Sequence, residues 1–145
     1  MSAGVVVGYD GSDGAKAALR AALELGRAYG EKVTIAFAYA LSPVGGELHD
    51  YHAALRALAD ERVAEALNLA AAGDAHDVDA VVVEQDPAHA LVQLADERDA
   101  RAIVVGTHGE SPFIGALLGS TAHKLLHLSE RPVLVVPVTH GAHAG

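Results

Sequence analysis

The stretch AIVVGTHGESPFIGALLGST, residues 102–121, passes from a short apolar run into a turn rich in glycine. The run AIVVG predicts a buried β-strand, and TAHKLLHL, from residue 121, predicts a helix. Glycines stand at 106, 109, 115 and 119, and Ser120 and Thr121 follow them. A simple connection between a strand and a helix seldom needs thirteen residues. The stretch therefore poses a choice between a loose turn and a cradle for a phosphate.

Apolar runs of β type alternate with helical patterns along the rest of the chain. The runs lie at 5–9, 32–39, 79–84, 102–106 and 132–137, and the helical patterns at 13–30, about 47–72, from Pro87 onward and about 120–129. The runs are mostly continuous, as expected for strands that are covered on both faces. The order predicts an α/β fold with an open parallel sheet and helices on both faces.

A second glycine-rich turn, GYDGSDG at 8–14, follows the first strand and leads into the first helix. Open parallel sheets bind ligands at the carboxyl ends of the strands, where the strand order reverses. We therefore expect strands one and four to be neighbours at that point, with both loops facing one ligand.

The residue types in the two loops suit a phosphorylated ligand. A helix N-terminus offers unpaired N–H groups and Ser120 and Thr121 add hydroxyls, while Gly109 and Gly119 are expected to supply close backbone approach and permissive φ angles. Asp10 would repel a phosphate but could accept from ribose hydroxyls or help to hold a metal ion. The alternative is that Asp10 or Ser12 simply caps the first helix.

The composition limits the classes of protein and of partner that the chain can represent. The 145 residues predict one domain, placed at 1–138, with a flexible tail at 139–145. The absence of cysteine excludes disulfides and thiolate chemistry, and the formal charge of −9 argues against a nucleic-acid partner. With no signal peptide or membrane-spanning run recognised, we expect a cytoplasmic protein without a membrane partner.

Several catalytic and metal motifs are missing. GALLGST lacks the lysine of a P-loop, and the first turn lacks G-x-G-x-x-G. His123 and His127 stand four residues apart, but no third ligand accompanies them, so no metal site of the protein's own is expected. No catalytic pair stands out, so little or no turnover is expected.

The spacing of GTHG, nine residues and GS resembles the G-2x-G-9x-G-(S/T) nucleotide motif of the universal stress protein family. The opening VVVGYDGSDGAKAAL and the segments DPAHALVQLADERDARAIVVGTHG and LLHLSERPVLVVP are similar to the same family, so the resemblance covers nearly the whole chain. It implies a Rossmann-like five-stranded parallel sheet in the order 3-2-1-4-5.

The resemblance also implies a site for ATP between strands one and four, with Mg²⁺ held only through the phosphates. Asp10, with Gly8 in the same turn, would contact the ribose side, and Ala38 would face adenine through its backbone. The remaining assignments are Val105 and Gly106 at the ribose, and Gly109, Gly119, Ser120 and Thr121 at the phosphates.

The chain departs from the family pattern in ways that keep other functions open. ESPFIGALL has no arginine or lysine and contains Glu110, and Gln85 stands where the family often has glycine. AMP or cyclic AMP therefore competes with ATP as the ligand. A slow ATPase and a nucleotide-independent dimeric interaction protein are further alternatives.

The last strand predicts a homodimer. RPVLVVPV at 131–138 is the most apolar segment, and the implied strand order places it at a sheet edge. An exposed apolar edge invites pairing with a second chain, and Val133–Val136 lie between prolines that leave them free to pair.

Overall fold

The structure is a computed structural model that describes residues 4–40, 48–73, 77–107 and 119–138. Residues 41–47, Gly109, Glu110 and the predicted tail at 139–145 lie outside the described residues. Within the described ranges, no helix has the length and apolar character that crossing a bilayer requires.

Five strands form one parallel sheet in the order β3-β2-β1-β4-β5. They are β1 (Val5–Gly8), β2 (Val33–Tyr39), β3 (Val78–Glu84), β4 (Ala102–Gly106) and β5 (Val133–Val136). The predicted strand order is confirmed, and each predicted strand is present with bounds that differ by only one residue at some ends. β1 lies between β2 and β4, so the direction of winding reverses at β1 and β4, as expected.

Four helices connect the strands: α1 (Asp13–Tyr29), α2 (Leu48–Ala72), α3 (Pro87–Arg98) and α4 (Ser120–Leu128). Local sequence sets several of their ends. The side chain of Ser12 caps α1, and the side chain of Asp86 caps α3 ahead of Pro87. Gly30 and Asp99 end these helices in the left-handed conformation.

The two faces of the sheet carry separate cores. Alternate strand residues, among them Val5, Val7 and Ile35, pack against α1 and α2. The residues between them, such as Val6 and Ile103, pack against α3 and α4. Helices therefore cover both faces, as predicted, and the carboxyl ends of the central strands meet at one edge of the molecule.

Candidate functional site

A cavity of about 280 Å³ opens at the carboxyl ends of β1, β2 and β4. Its walls come from both glycine-rich loops, from β2 and from the first turns of α1, α3 and α4. The lining residues are Gly8, Tyr9, Asp10, Ser12, Ala15, Ala36, Ala38, Pro87, Leu91, Val105, Gly106, Thr107, Gly119, Ser120, Thr121 and Ala122.

Eight of the nine residues expected at a nucleotide site line this cavity. They are Gly8, Asp10, Ala38, Val105, Gly106, Gly119, Ser120 and Thr121. The ninth, Gly109, lies outside the described residues. The topology therefore brings together residues that are more than 100 positions apart in the chain.

One part of the cavity is apolar, and small side chains on the strands make room for it. Ala36 and Ala38 alternate with the larger Ile35, Phe37 and Tyr39 along β2, so one face of the strand is open. At Gly8 a Cβ atom would stand 3.0 Å from Cδ1 of Leu91. The missing side chain therefore lets α3 close over the strand ends.

Sequence reasoning missed several of these apolar residues, namely Ala36, Pro87 and Leu91. The alternation of alanine with large residues in VTIAFAY was a usable signal for Ala36. For Pro87 and Leu91 the sequence predicted a helix, but nothing in it showed that this helix faces the cavity.

The first loop is held in one conformation by its own side chains. A carboxylate oxygen of Asp10 accepts from the backbone N–H of Ser12 at 2.9 Å, and Oγ of Ser12 accepts from the N–H of Ala15 at 3.1 Å. Ser12 therefore caps α1, as the alternative interpretation proposed. Asp10 closes the turn and also lines the cavity, so the structural and ligand-binding interpretations are compatible there.

Helix α2 contacts the first loop from the face of the sheet that lies opposite the cavity. The hydroxyl of the buried Tyr9 donates to a carboxylate oxygen of Glu65. Burial and, after it, this hydrogen bond raise the pKa of Tyr9 well above its usual range, so the hydroxyl stays protonated. Gly11 has a φ of +88°, and a Cβ atom there would overlap the side chain of Arg62. Both contacts tie the position of the loop to α2.

Gly106 and Gly119, at the two ends of the second loop, have different structural roles. A Cβ atom on Gly106 would lie 2.7 Å from the carbonyl carbon and oxygen of Gly14, so this glycine lets β4 pack directly on α1. Gly119 has a φ of −64°, which any residue can adopt. The expectation that Gly119 needs a glycine-specific φ is therefore wrong. Its N–H donates to the carbonyl of Thr107 at 2.6 Å and so joins the two ends of the loop.

The N-terminus of α4 faces the cavity through Ser120, Thr121 and Ala122. The first hydrogen bond to this turn runs from the N–H of His123 to the carbonyl of Gly119. Helix geometry thus leaves the N–H groups that precede His123 without acceptors inside the helix. Together with the helix dipole, they favour an anion at this end of the cavity.

The start of α3 and one turn of α4 contact each other next to Pro87, which lines the cavity. Asp86 accepts from Nζ of Lys124 at 3.0 Å, and its other oxygen lies 2.8 Å from Nδ1 of His89. The hydrogen bond with His89 and, less strongly, that with Lys124 lower the pKa of Asp86 to about 2, although partial burial opposes them. Asp86 is therefore a carboxylate at neutral pH, beside Pro87 in the cavity wall.

The histidine pair on α4 forms a ring contact. The rings of His123 and His127 pack edge to face with their centroids 5.0 Å apart. Among the described residues, no group of three or more His, Cys, Asp or Glu side chains is placed to hold a metal ion. Asp10 carries the only carboxylate among the described residues that line the cavity.

Comparisons with known proteins agree with this architecture. A sequence model described as the universal stress protein family matches residues 1–137. A universal stress protein of Thermus aquaticus is 32% identical over 133 residues, which cover 91% of this chain and 96% of that protein.

Two solved structures of relatives contain an adenine nucleotide. A universal stress protein in complex with cAMP is 36% identical, with a TM-score of 0.71, and the match covers 94% of this chain and 98% of that one. The universal stress protein of Archaeoglobus fulgidus in complex with dAMP is 27% identical, also with a TM-score of 0.71. This second match covers 93% of this chain and 98% of that one.

Proposed function

The chain belongs to the universal stress protein family, and on that premise we propose that it binds an adenine nucleotide in the cavity at the ends of β1, β2 and β4. The proposal rests on one observation: residues of both glycine-rich loops line the same cavity. Its apolar part suits a base, and its polar part suits a ribose phosphate.

The base, the ribose and the phosphates of the nucleotide would each contact a different part of the cavity wall. The base would lie against Ala36, Ala38 and Leu91, where the small strand residues leave space. The carboxylate of Asp10 would accept from the ribose hydroxyls. The phosphates would lie at the N-terminus of α4, where Ser120 and Thr121 offer N–H and hydroxyl donors. We also assign Gly109 to this phosphate end on the basis of the sequence motif.

ATP with Mg²⁺ is the ligand proposed first, because the spacing of the motif resembles that of the family members that bind ATP. Within the cavity Mg²⁺ would be held through the phosphates, since Asp10 is the only described lining carboxylate. AMP or cyclic AMP is the second candidate. The relative in complex with cAMP and the absence of arginine and lysine from residues 110–118 both support a ligand of lower charge.

We propose a regulatory, stress-response role in the cytoplasm with little or no catalysis. No arginine or lysine is among the described residues that line the cavity, so the charge of a transferred phosphoryl group would have little stabilisation from them. We further propose that two chains associate through Val133–Val136, the strand at the sheet edge.

Calorimetric titration with ATP and Mg²⁺, AMP, cyclic AMP and GTP tests the nucleotide proposal. Binding of at least one adenine nucleotide at micromolar strength is expected, with GTP much weaker. Mass spectrometry of nucleotide released from the purified protein would identify the preferred ligand. If no adenine nucleotide gave heat or raised the melting temperature, the nucleotide-independent interaction protein would be the better account.

A further inference from the structure

The second loop carries no arginine or lysine between Gly109 and Gly119, yet α4 carries a lysine one turn after the residues proposed to hold the phosphates. Lys124 lies on α4, three residues after Thr121, which lines the cavity. Helical side chains lean toward the N-terminus of their helix and over the preceding turn. The ammonium of Lys124 is placed by its bond to Asp86, the residue next to Pro87 in the cavity wall.

The bond between Lys124 and Asp86 can be released without leaving the carboxylate unpaired. Asp86 also interacts with the ring of His89 at 2.8 Å and with the backbone N–H of His89 at 3.3 Å. The side chain of Lys124 is 48% exposed, and its four-carbon stem gives the ammonium reach. An exposed ion pair of this kind is weak, so a phosphate can compete for the lysine.

From this arrangement we propose that Lys124 is the cation that recognises the phosphate of the bound nucleotide, and that Asp86 holds it beside Pro87 until the ligand arrives. The proposal rests on the proposed nucleotide function and adds a residue that determines selectivity for phosphorylated ligands. It supplies from α4 the positive charge that residues 110–118 lack. Base and ribose recognition would not depend on it.

Titration of variants with AMP and with adenosine, which has no phosphate, tests this role. Lys124→Gln is expected to weaken AMP binding about five- to tenfold, the order of one charge-assisted hydrogen bond at a half-exposed site, and to change adenosine binding less than twofold. Lys32→Gln is the matched control, because Lys32 precedes β2 at the opposite end of the sheet. Its AMP affinity should equal that of the wild type.

Asp86→Asn provides the opposite test. Asparagine caps helices as well as aspartate does, but it no longer holds the ammonium by charge. The variant is expected to bind AMP about two- to fivefold more tightly, with adenosine unchanged. If Lys124 only ties α4 to α3, Asp86→Asn would bring no gain, and Lys124→Gln would affect both ligands equally or neither.

The outcomes separate this inference from the proposed function. Wild-type protein that binds adenosine and AMP, together with a Lys124→Gln variant that keeps the same preference for AMP, would overturn the role of Lys124 alone. A wild type that binds neither ligand would overturn the nucleotide function and this inference with it. Thermal melts of each variant show whether a loss of binding reflects a loss of folding.

Discussion

At the scale of single residues, the glycines of the two glycine-rich loops do different things in the structure. Gly106 is required by packing, because its α-carbon faces the backbone of Gly14. Gly8 leaves room for Leu91 beside the strand end. Gly119 has an ordinary φ angle, so the backbone conformation does not by itself require glycine there. Part of the glycine content of the two loops therefore follows from packing within the fold.

Gly106→Ala is expected to destabilise the protein by about 1–3 kcal/mol, because the added Cβ atom meets backbone that cannot rotate away. Chemical denaturation measures the free energy of unfolding. Gly73→Ala is the matched control, since a Cβ atom there makes only ordinary contacts at 3.6 Å or more, and its change should stay within about 0.5 kcal/mol. Equal effects at the two positions would contradict the packing explanation for Gly106.

At the scale of the elements, α3 is fixed at both ends. Asp86 caps its first turn, and Arg98 anchors its last turn to β2 and β3. Arg98 donates to the hydroxyl of Thr34 at 2.7 Å and to a carboxylate oxygen of Asp79 at 3.0 Å. Thr34 is only 2% exposed, and its hydroxyl interacts with both Arg98 and Asp79. The anchored helix carries Pro87 and Leu91, which form one wall of the cavity.

Arg98→Met is expected to lower the free energy of unfolding by about 1–3 kcal/mol, because it removes a charged donor from a buried hydroxyl. The double variant Arg98→Met with Thr34→Val should recover part of that loss, since the buried hydroxyl that would otherwise lose Arg98 as its donor is then absent. Arg20→Met, at an exposed position on α1, serves as the control. Additive losses in the double variant would show that Arg98 and Thr34 are not coupled.

The helices and strands can be predicted from the sequence, but the residues that line the cavity can be predicted only in part. Continuous apolar runs and helix signals such as Pro87 are local, and they predict each strand and helix that the described residues form. Proximity of the two glycine-rich loops followed from the expectation that β1 and β4 are neighbours. The inward face of α3, the contact of Arg62 with Gly11 and the pairing of Lys124 with Asp86 depend on how the helices pack. Local patterns do not carry that information.

At the scale of the whole molecule, β5 is an edge strand of the sheet, next to β4. Leu134 in its centre is 41% exposed, and Leu126 and Leu128 on the neighbouring α4 are exposed as well. Val135 packs on the core beside α3 and α4. Leu134 is therefore a better position than Val135 at which to test the proposed dimer, because replacing Leu134 does not disturb the core.

Sedimentation of the wild type is expected to show a dimer in the micromolar range, and Leu134→Lys is expected to weaken or dissociate it. A lysine on an edge strand opposes pairing with a second sheet. Leu67→Lys, which changes a leucine of similar exposure on α2, should leave the dimer intact. A monomeric wild type would contradict the edge-pairing proposal, as would a dimer that Leu134→Lys leaves unchanged.

Backbone amide chemical shifts during titration of ¹⁵N-labelled protein with AMP test most directly whether an adenine nucleotide occupies the cavity formed by the two loops. The largest changes are expected at Gly8, Asp10, Ala38, Ser120 and Thr121, which line the cavity. Lys32, at the opposite end of the sheet, should keep its shift. Saturable changes confined to other parts of the surface, or no changes at millimolar AMP, would contradict the account.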